Sequence, residues 1–376
     1  MNESRPKPIS AVPADYVISK NDAGEVYAQS GRSGAVVACG KDASSVIQKA
    51  IDDLPTEGGK VYISAGCYWL NSTITIEDKH GVHLEGAARG IVFSQEGNSG
   101  TVLRSDRDID LLQIFGNKLK VAGITISNLH LVGSGKGNGK AGILVRGDSD
   151  LLSLYNVGAN HCGIGFHIQG GGGKLGYDVV DAPLIQFCDP QANGVGLKIE
   201  RSHYLCVVGG HFSDCDDCGI MLSSPESGNT RCGAAKIIGV TAVRSGRAGI
   251  LIGRNTEDIT VTGGSDFGGM ARGSGIVVSD EGTDERPQNI IISNIHSYNN
   301  RDAAILVESA RHVIVQGCIC SAHNHAYVDN PGQQHGIHIK AGSQNVIVLG
   351  NITYGNRKQA ILDDMGKATI VNNQDG

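Results

Sequence analysis

The sequence predicts an all-β fold, a single-stranded right-handed parallel β-helix closed at its start by one capping helix. Three observations predict it. A short phrase returns along the chain at Gly142-Ile143-Leu144-Val145, Gly163-Ile164-Gly165-Phe166, Gly219-Ile220-Met221-Leu222, Gly249-Ile250-Leu251-Ile252, Gly275-Ile276-Val277-Val278, Ala304-Ile305-Leu306-Val307, Gly336-Ile337-His338-Ile339 and Ala360-Ile361-Leu362. A period of roughly 20 to 35 residues marks a solenoid. A second β-branched phrase lies between copies of the first, as in Ile290-Ile291-Ile292, Val313-Ile314-Val315 and Val346-Ile347-Val348, so each period holds at least two strands. No Asn-Gly type hairpin joins these strands at close range, so each must pair with its counterpart one period away. Stacking then buries the inward Ile, Val and Leu of each coil on those of the next. Gly and Asn suit the left-handed corners, and a right-handed coil follows from the twist of the strands.

Taken in order, residues 1–41 read as an irregular entry with short strands, among them Tyr16-Val17-Ile18 and Glu25-Val26-Tyr27-Ala28. A helix is expected over 42–54, because Asp42 can cap it and Ala43, Val46, Ile47, Ala50, Ile51 and Leu54 fall on one face. Pro55 and Gly58-Gly59 end it. The first coil of a solenoid exposes apolar core and unpaired backbone, and this helix supplies the cover. The β-helix, with its helix, is placed at 42–376. Its first coil is read from Lys60-Val61-Tyr62-Ile63, Gly66-Cys67-Tyr68-Trp69-Leu70 and Ser72-Thr73-Ile74-Thr75-Ile76, returning at Val82-His83-Leu84-Glu85-Gly86.

The 376 residues include 54 Gly, 9 Pro and 5% aromatics, which fits thin strands and many tight corners. A net charge of −6 without a basic run gives no footprint for nucleic acid or anionic membrane. No apolar stretch is long enough to span a bilayer, and the opening lacks the apolar segment of a signal peptide. The ten cysteines do not have the spacing of a zinc site or a disulfide scaffold. Most are expected to be small buried hydrophobes. Cys162 and Cys218, each one residue before a Gly-Ile phrase, are expected at equivalent inward positions.

The segment from Asp42 through Ile47-Gln48-Lys49-Ala50-Ile51, Gly58-Gly59-Lys60-Val61-Tyr62-Ile63, Ala65-Gly66-Cys67-Tyr68 and Leu84-Glu85-Gly86 resembles the entry module of the pectate-lyase-like superfamily, which viral and phage tailspikes share. The resemblance covers roughly residues 36–104, and beyond them consists of the coil repeat. It implies the right-handed β-helix and a polysaccharide ligand. The superfamily holds lyases, hydrolases, epimerases and non-catalytic binders, so it does not fix one reaction.

Aligned on the Gly-Ile phrase, the residues three and four before each Ile form a corner column: Asn160 and His161, Asp216 and Asp217, Gly246 and Arg247, Arg301 and Asp302, Arg357 and Lys358. Coils about 4.8 Å apart would let an extended glycan lie along such a column. Asp214, Asp216 and Asp217 are the candidate catalytic groups, because glycoside cleavage needs an acid and a base or nucleophile. Asp216-Asp217-Cys218 is similar to the Asp-Asp-Cys of polygalacturonases. Their Asn-Thr-Asp-Gly is replaced here by Gln191-Ala192-Asn193-Gly194, and their Gly-His-Gly by Gly246-Arg247-Ala248-Gly249. The same aspartates offer oxygens for Ca2+, the one cofactor considered; no other is expected. Arg247 is a candidate clamp for a uronate carboxylate. His161 and Arg301 of the column join it as candidate substrate-binding residues.

His323 and His325 are further candidates for substrate binding. They sit in a polar insertion with Tyr327, Asp329, His335 and His338, and i, i+2 spacing in a strand would put both rings on one face. Gly170-Gly171-Gly172-Gly173-Lys174 lacks the ending of a phosphate loop. Asn71 and Asn351 match the glycosylation pattern and otherwise read as corner residues. The expected function is cleavage of a glycosidic bond in a polysaccharide by a hydrolase or lyase, in an extracellular, virion or cell-surface setting. The rival expectation is a non-enzymatic glycan-binding or structural solenoid such as a tailspike or adhesin, packed as a homotrimer.

Overall fold

The computed structural model describes residues 14–90, 99–175, 179–225, 231–263, 266–325 and 332–376. Tyr327 and Asp329 of the polar insertion, and residues 1–13 of the entry segment, lie outside the described residues.

Each coil contributes a strand to each of three parallel stacks. The first stack carries the Gly-Ile phrases and runs from Ile74–Glu77 through Cys218–Leu222 and Ala248–Ile252 to Gln359–Asp363. The second carries the β-branched phrase, with Ile290, Val313 and Val346 in register on successive coils. The third consists of short strands, from Gly66–Trp69 to Asp189–Pro190 and from Thr241–Val243 to Gln374–Asp375, with a bridge between His211 and Thr241 continuing the row. The coil read from the sequence at 60–86 is present, since Gly59–Ile63 pairs with Val82–Gly86 after the chain has passed through the other two stacks. Inward residues make one core from Ile18 to Val348. In the first stack Ile220, Ile250, Ile276, Ile305 and Ile337 form a single row at 0% exposure. Each such burial stabilises the fold by about 1.5–3 kcal/mol.

The entry segment is more regular than its sequence suggests. Strands Tyr16–Lys20, Val26–Ser30 and Val36–Gly40 form an antiparallel meander, and the first pairs in parallel with residues 61–63 of the first coil. The helix spans Ala43–Asp52, with Asp42 Oδ1 accepting from Ser44 N at 3.1 Å. Its face of Ala43, Val46, Ile47, Ala50 and Ile51 is buried and continuous with the core.

Register corrects two details of the sequence alignment. Ile164 is level with Val195, and Val195 precedes the residue level with Ile220 by two, so Phe166 and not Ile164 is the counterpart of Ile220. The Gly163-Ile164 phrase therefore enters its strand two residues early. His161 consequently leaves the column of Asp217 and joins the left-handed corner residues Ala192, Asp214 and Arg244, with φ of 54°, 53°, 58° and 55°. Cys162 and Cys218 are likewise not equivalent. Cys162 belongs to the main core, whereas Cys218 lies in a separate buried cluster with Met221, Ala248, Leu251, Val277, Ala303 and Leu306.

Buried asparagine side chains close the interior at two corners. Asn193 Oδ1 accepts from Cys162 N at 2.9 Å, and Asn300 Oδ1 accepts from Met270 N at 3.2 Å. Asn351, read from the sequence as a glycosylation pattern or a corner residue, is 0% exposed. It accepts from Cys318 N and donates to Val315 O and Asn373 Oδ1. Such an amide satisfies the corner backbone that neighbouring strands leave unpaired.

All ten cysteines are free thiols, and seven are buried, as small apolar side chains in a thin core would be. No helix among the described residues is long and apolar enough to cross a membrane.

Candidate functional site

The corner between the third and first stacks carries the sequence-predicted aspartates. The turn is tight because Asp214 takes a left-handed φ of 58°, which Asp tolerates better than most residues. Asp214, Asp216 and Asp217 follow the strand position of His211 and precede strand Cys218–Leu222, so all three belong to one coil. The next coil repeats the turn thirty residues later with bases in place of acids. Arg244 grips Asp214 through two hydrogen bonds of 2.7 Å. Arg247 grips Asp217 through bonds of 2.8 and 3.0 Å. Asp216 is reached from the other side by Lys136 Nζ at 2.9 Å, and Arg272 donates to the Asp216 carbonyl at 2.7 Å.

Each of the three carboxylates therefore already accepts from a cation. Burial of Arg247 disfavours its charge, but Asp217 and the Cys218 thiol beside it outweigh this and raise its pKa. The pairs are partly exposed, and such pairs add little stability. Asp216 is the most open, with 62% of its side chain exposed and one salt bridge. Among the described residues no group of three or more His, Cys, Asp or Glu side chains is arranged to hold a metal ion.

Arg301 shares the corner further down, exposed, with its backbone N–H bonded to Met270 O and Gly273 O. His161 is exposed two coils above Asp214. His323 and His325 do not join the aspartates. They stand against the outer face of the third stack, in an aromatic group the sequence had hidden. His323 is stacked on His296 at 5.7 Å between centroids, with planes 7° apart, and Tyr298 lies 5.4 Å from His323 and 4.9 Å from His325. Ser321 Oγ lies 3.0 Å from His323 Nδ1, and Tyr354 lies 6.1 Å from the His323 ring.

Sequence reasoning missed Arg244, Lys136, His296, Tyr298 and Tyr354. The interval of thirty residues from Asp214 to Arg244, equal to that from Asp217 to Arg247, was the available signal for the first. His296 and Tyr298 are visible only through register, which places them level with Ile319 and Ser321. Lys136 comes from a turn three coils earlier, which the repeat does not reveal.

Comparison with known proteins agrees with this architecture. Residues 227–375 match the family model described as a right-handed beta helix region. That match lies in the coil repeat rather than in the entry module that carried the sequence resemblance. No curated protein matches the chain. Among solved structures, the chain is similar to the A-module of a mannuronan C-5 epimerase from Azotobacter vinelandii, at TM-score 0.63 and 15% identity, covering 89% of this chain and 95% of that one. It is similar to a DFA-IIIase from Arthrobacter chlorophenolicus, without its lid and in complex with GF2, at TM-score 0.64 and 14% identity, covering 89% and 95%. It is also similar to the N-terminal fragment of gene product 12 of bacteriophage Phi29, at TM-score 0.65 and 15% identity, covering 88% of this chain but 60% of that one. At these identities the likeness is one of fold. The chain has the fold of a right-handed parallel β-helix, which its coil repeat and these structural relatives share.

Proposed function

We propose that this chain binds and cleaves an acidic polysaccharide laid across its coils at the corner between the third and first stacks. One observation carries the reading. The upper carboxylates are each matched by a cation, while Arg272, Arg301, Arg357 and Lys358 lie exposed along the lower corner with no carboxylate partner among the described residues. A chain of net charge −6 thus keeps cations along this edge, Arg272 and Arg301 one coil apart and Arg357 with Lys358 two coils further on, past Gln333 and Gln334. Such an edge suits a polymer with one carboxylate per sugar, since guanidinium groups bind carboxylates bidentately. The mannuronan specificity in the name of one structural relative is consistent with that class.

Asp216, exposed and held only by Lys136, is the corner carboxylate freest to meet the substrate, with Arg247 as the clamp beside it. His161 lies at the upper end of the same edge and Arg301 among its cations. Calcium does not fit this corner well, because Arg244, Arg247 and Lys136 occupy the carboxylates a cation would need.

A second reading is favoured by that same engagement of Asp214, Asp216 and Asp217: a solenoid of a virion or cell surface that binds glycan without cleaving it. Its homotrimer would pack along the outer face of the second stack, where Ile291, Ile347 and Leu349 are exposed. The purified protein is incubated with polygalacturonate, polymannuronate and a neutral glucan, with calcium or with chelator, while unsaturated uronate and reducing ends are followed. Cleavage of a uronate polymer that the R272A/R301A double variant binds less tightly supports the first reading. Binding without cleavage, by a trimer in sedimentation, supports the second. Absence of both binding and cleavage refutes both.

A further inference from the structure

Beside the aspartate corner, one outward row of the third stack holds titratable side chains that the sequence did not single out. His130, Gly158 and Asp189 are level on successive coils, and His211 continues the row through its bond to Cys188 O at 2.9 Å. Gly158 leaves a gap, and a Cβ there would lie 2.3 Å from His130 Nδ1, so the imidazole occupies the space between the coils of His130 and Asp189. On the other side Asp189 Oδ1 is 3.7 Å from His211 Nδ1, and Asp189 Oδ2 is 3.6 Å from Arg89. The Gln191 amide also donates to Asp189. One carboxylate thus stands among two imidazoles and a guanidinium.

His130 is 7% exposed, and among the described residues no hydrogen bond of normal geometry reaches either ring nitrogen, although the Asn160 side chain and the Gly90 backbone stand close enough to favour its charged form. Buried titratable groups of this kind concentrate at functional sites. The side chain of His211 is 35% exposed. The charged groups facing it are Asp189, Asp214, Arg244 and Arg89. Burial pulls the His211 pKa down and the two arginines add to this, while Asp189 and Asp214 pull it up, leaving it below the usual value for histidine. At neutral pH it is therefore a neutral imidazole able to accept a proton.

We propose that His211 is the proton-transfer residue of this site, oriented by Asp189, acting on a uronate sugar held at the adjoining corner between the third and first stacks. The proposal rests on the acidic-polysaccharide reading above and names residues for it. Nδ1 of His211 faces Asp189, which leaves Nε2 to take the proton from the carbon next to the uronate carboxylate. The electron pair of that C–H bond becomes a carbon–carbon double bond as the adjacent carbon–oxygen bond to the departing sugar breaks, and water protonates the released oxygen. Arg89 offsets the charge that develops on the uronate carboxylate. Asp189 is a positioning residue, since it acts through His211.

The test compares wild type, His211→Asn and Asp189→Asn on polygalacturonate and polymannuronate, reading binding, unsaturated product and the pH profile. His211→Asn is expected to bind as wild type does while kcat falls about 100-fold or more, the usual worth of a general base. Asp189→Asn removes a group that raises the His211 pKa, so the acidic limb of its profile is expected to move to lower pH, which a merely structural role would not produce. Full activity in His211→Asn overturns the assignment while leaving the acidic-polysaccharide reading intact. A wild type that binds a polyuronate without cleaving it overturns the assignment together with the cleavage reading and leaves glycan binding standing. A wild type that neither binds nor cleaves either polyuronate overturns both.

Discussion

Replacing Asn351 by Ala tests the buried amide directly. The wild-type amide is fully buried, accepts from Cys318 N at 2.9 Å, and donates to Val315 O at 3.0 Å and Asn373 Oδ1 at 2.9 Å. Alanine strands the Cys318 N–H and removes a donor from Val315 O, while Asn373 Oδ1 keeps the Asn351 backbone N–H. An unsatisfied buried polar group costs about 1–3 kcal/mol, so one or two of them place the loss at about 2–4 kcal/mol. Asn345→Ala is the control. Asn345 is exposed at a corner with φ of 54°, so its replacement costs only the left-handed strain, about 1 kcal/mol. Urea unfolding followed by circular dichroism gives both values, and amide exchange at Cys318 locates the effect. Coils contact mainly their neighbours, so the loss should concentrate between Val313 and Gln374. An Asn351→Ala variant as stable as Asn345→Ala, with Cys318 still protected, would refute this role of the buried amide.

Two further outcomes follow from burial and charge. Burial pushes the Glu200 carboxyl up, but hydrogen bonds from His167 and Lys198 outweigh it and hold its pKa at about 2, against an ordinary value of 4.5. Its contribution is fully present above pH 4.5 and is lost as pH falls towards 2, so the stability gap between wild type and Glu200→Gln should close over that window in acid titrations. Burial also pushes the thiols of Cys162, Cys188 and Cys232 up to about 12. An aqueous thiol reagent should therefore label exposed Cys39 in the folded protein and these three only after denaturation, as mass spectrometry would show.

The fold was legible because its cause is local and repeated. Recurring Gly-Ile phrases, β-branched runs between them, and a capped amphipathic helix ahead of them admit one way of burying their apolar faces, and the three stacks and continuous core follow from it. The capping helix was legible for the same reason, since Asp42 and an apolar face at helical spacing are properties of ten consecutive residues.

What the repeat could not convey was register, because a shift of one or two residues leaves the pattern intact while moving every side chain to a new neighbour. Tertiary structure alone decided that His161 belongs with Asp214 and Arg244, and that Cys218 faces away from the core of Cys162. It alone decided that Asn351 is a buried interior residue rather than a glycosylation acceptor. It also decided the partners of the aspartates, since Arg244, Arg247 and Lys136 lie 30 or more residues away in sequence. The grouping of His130, Asp189 and His211 has the same origin. Sequence determines which residues each coil carries, and the stacking of coils determines which of them meet.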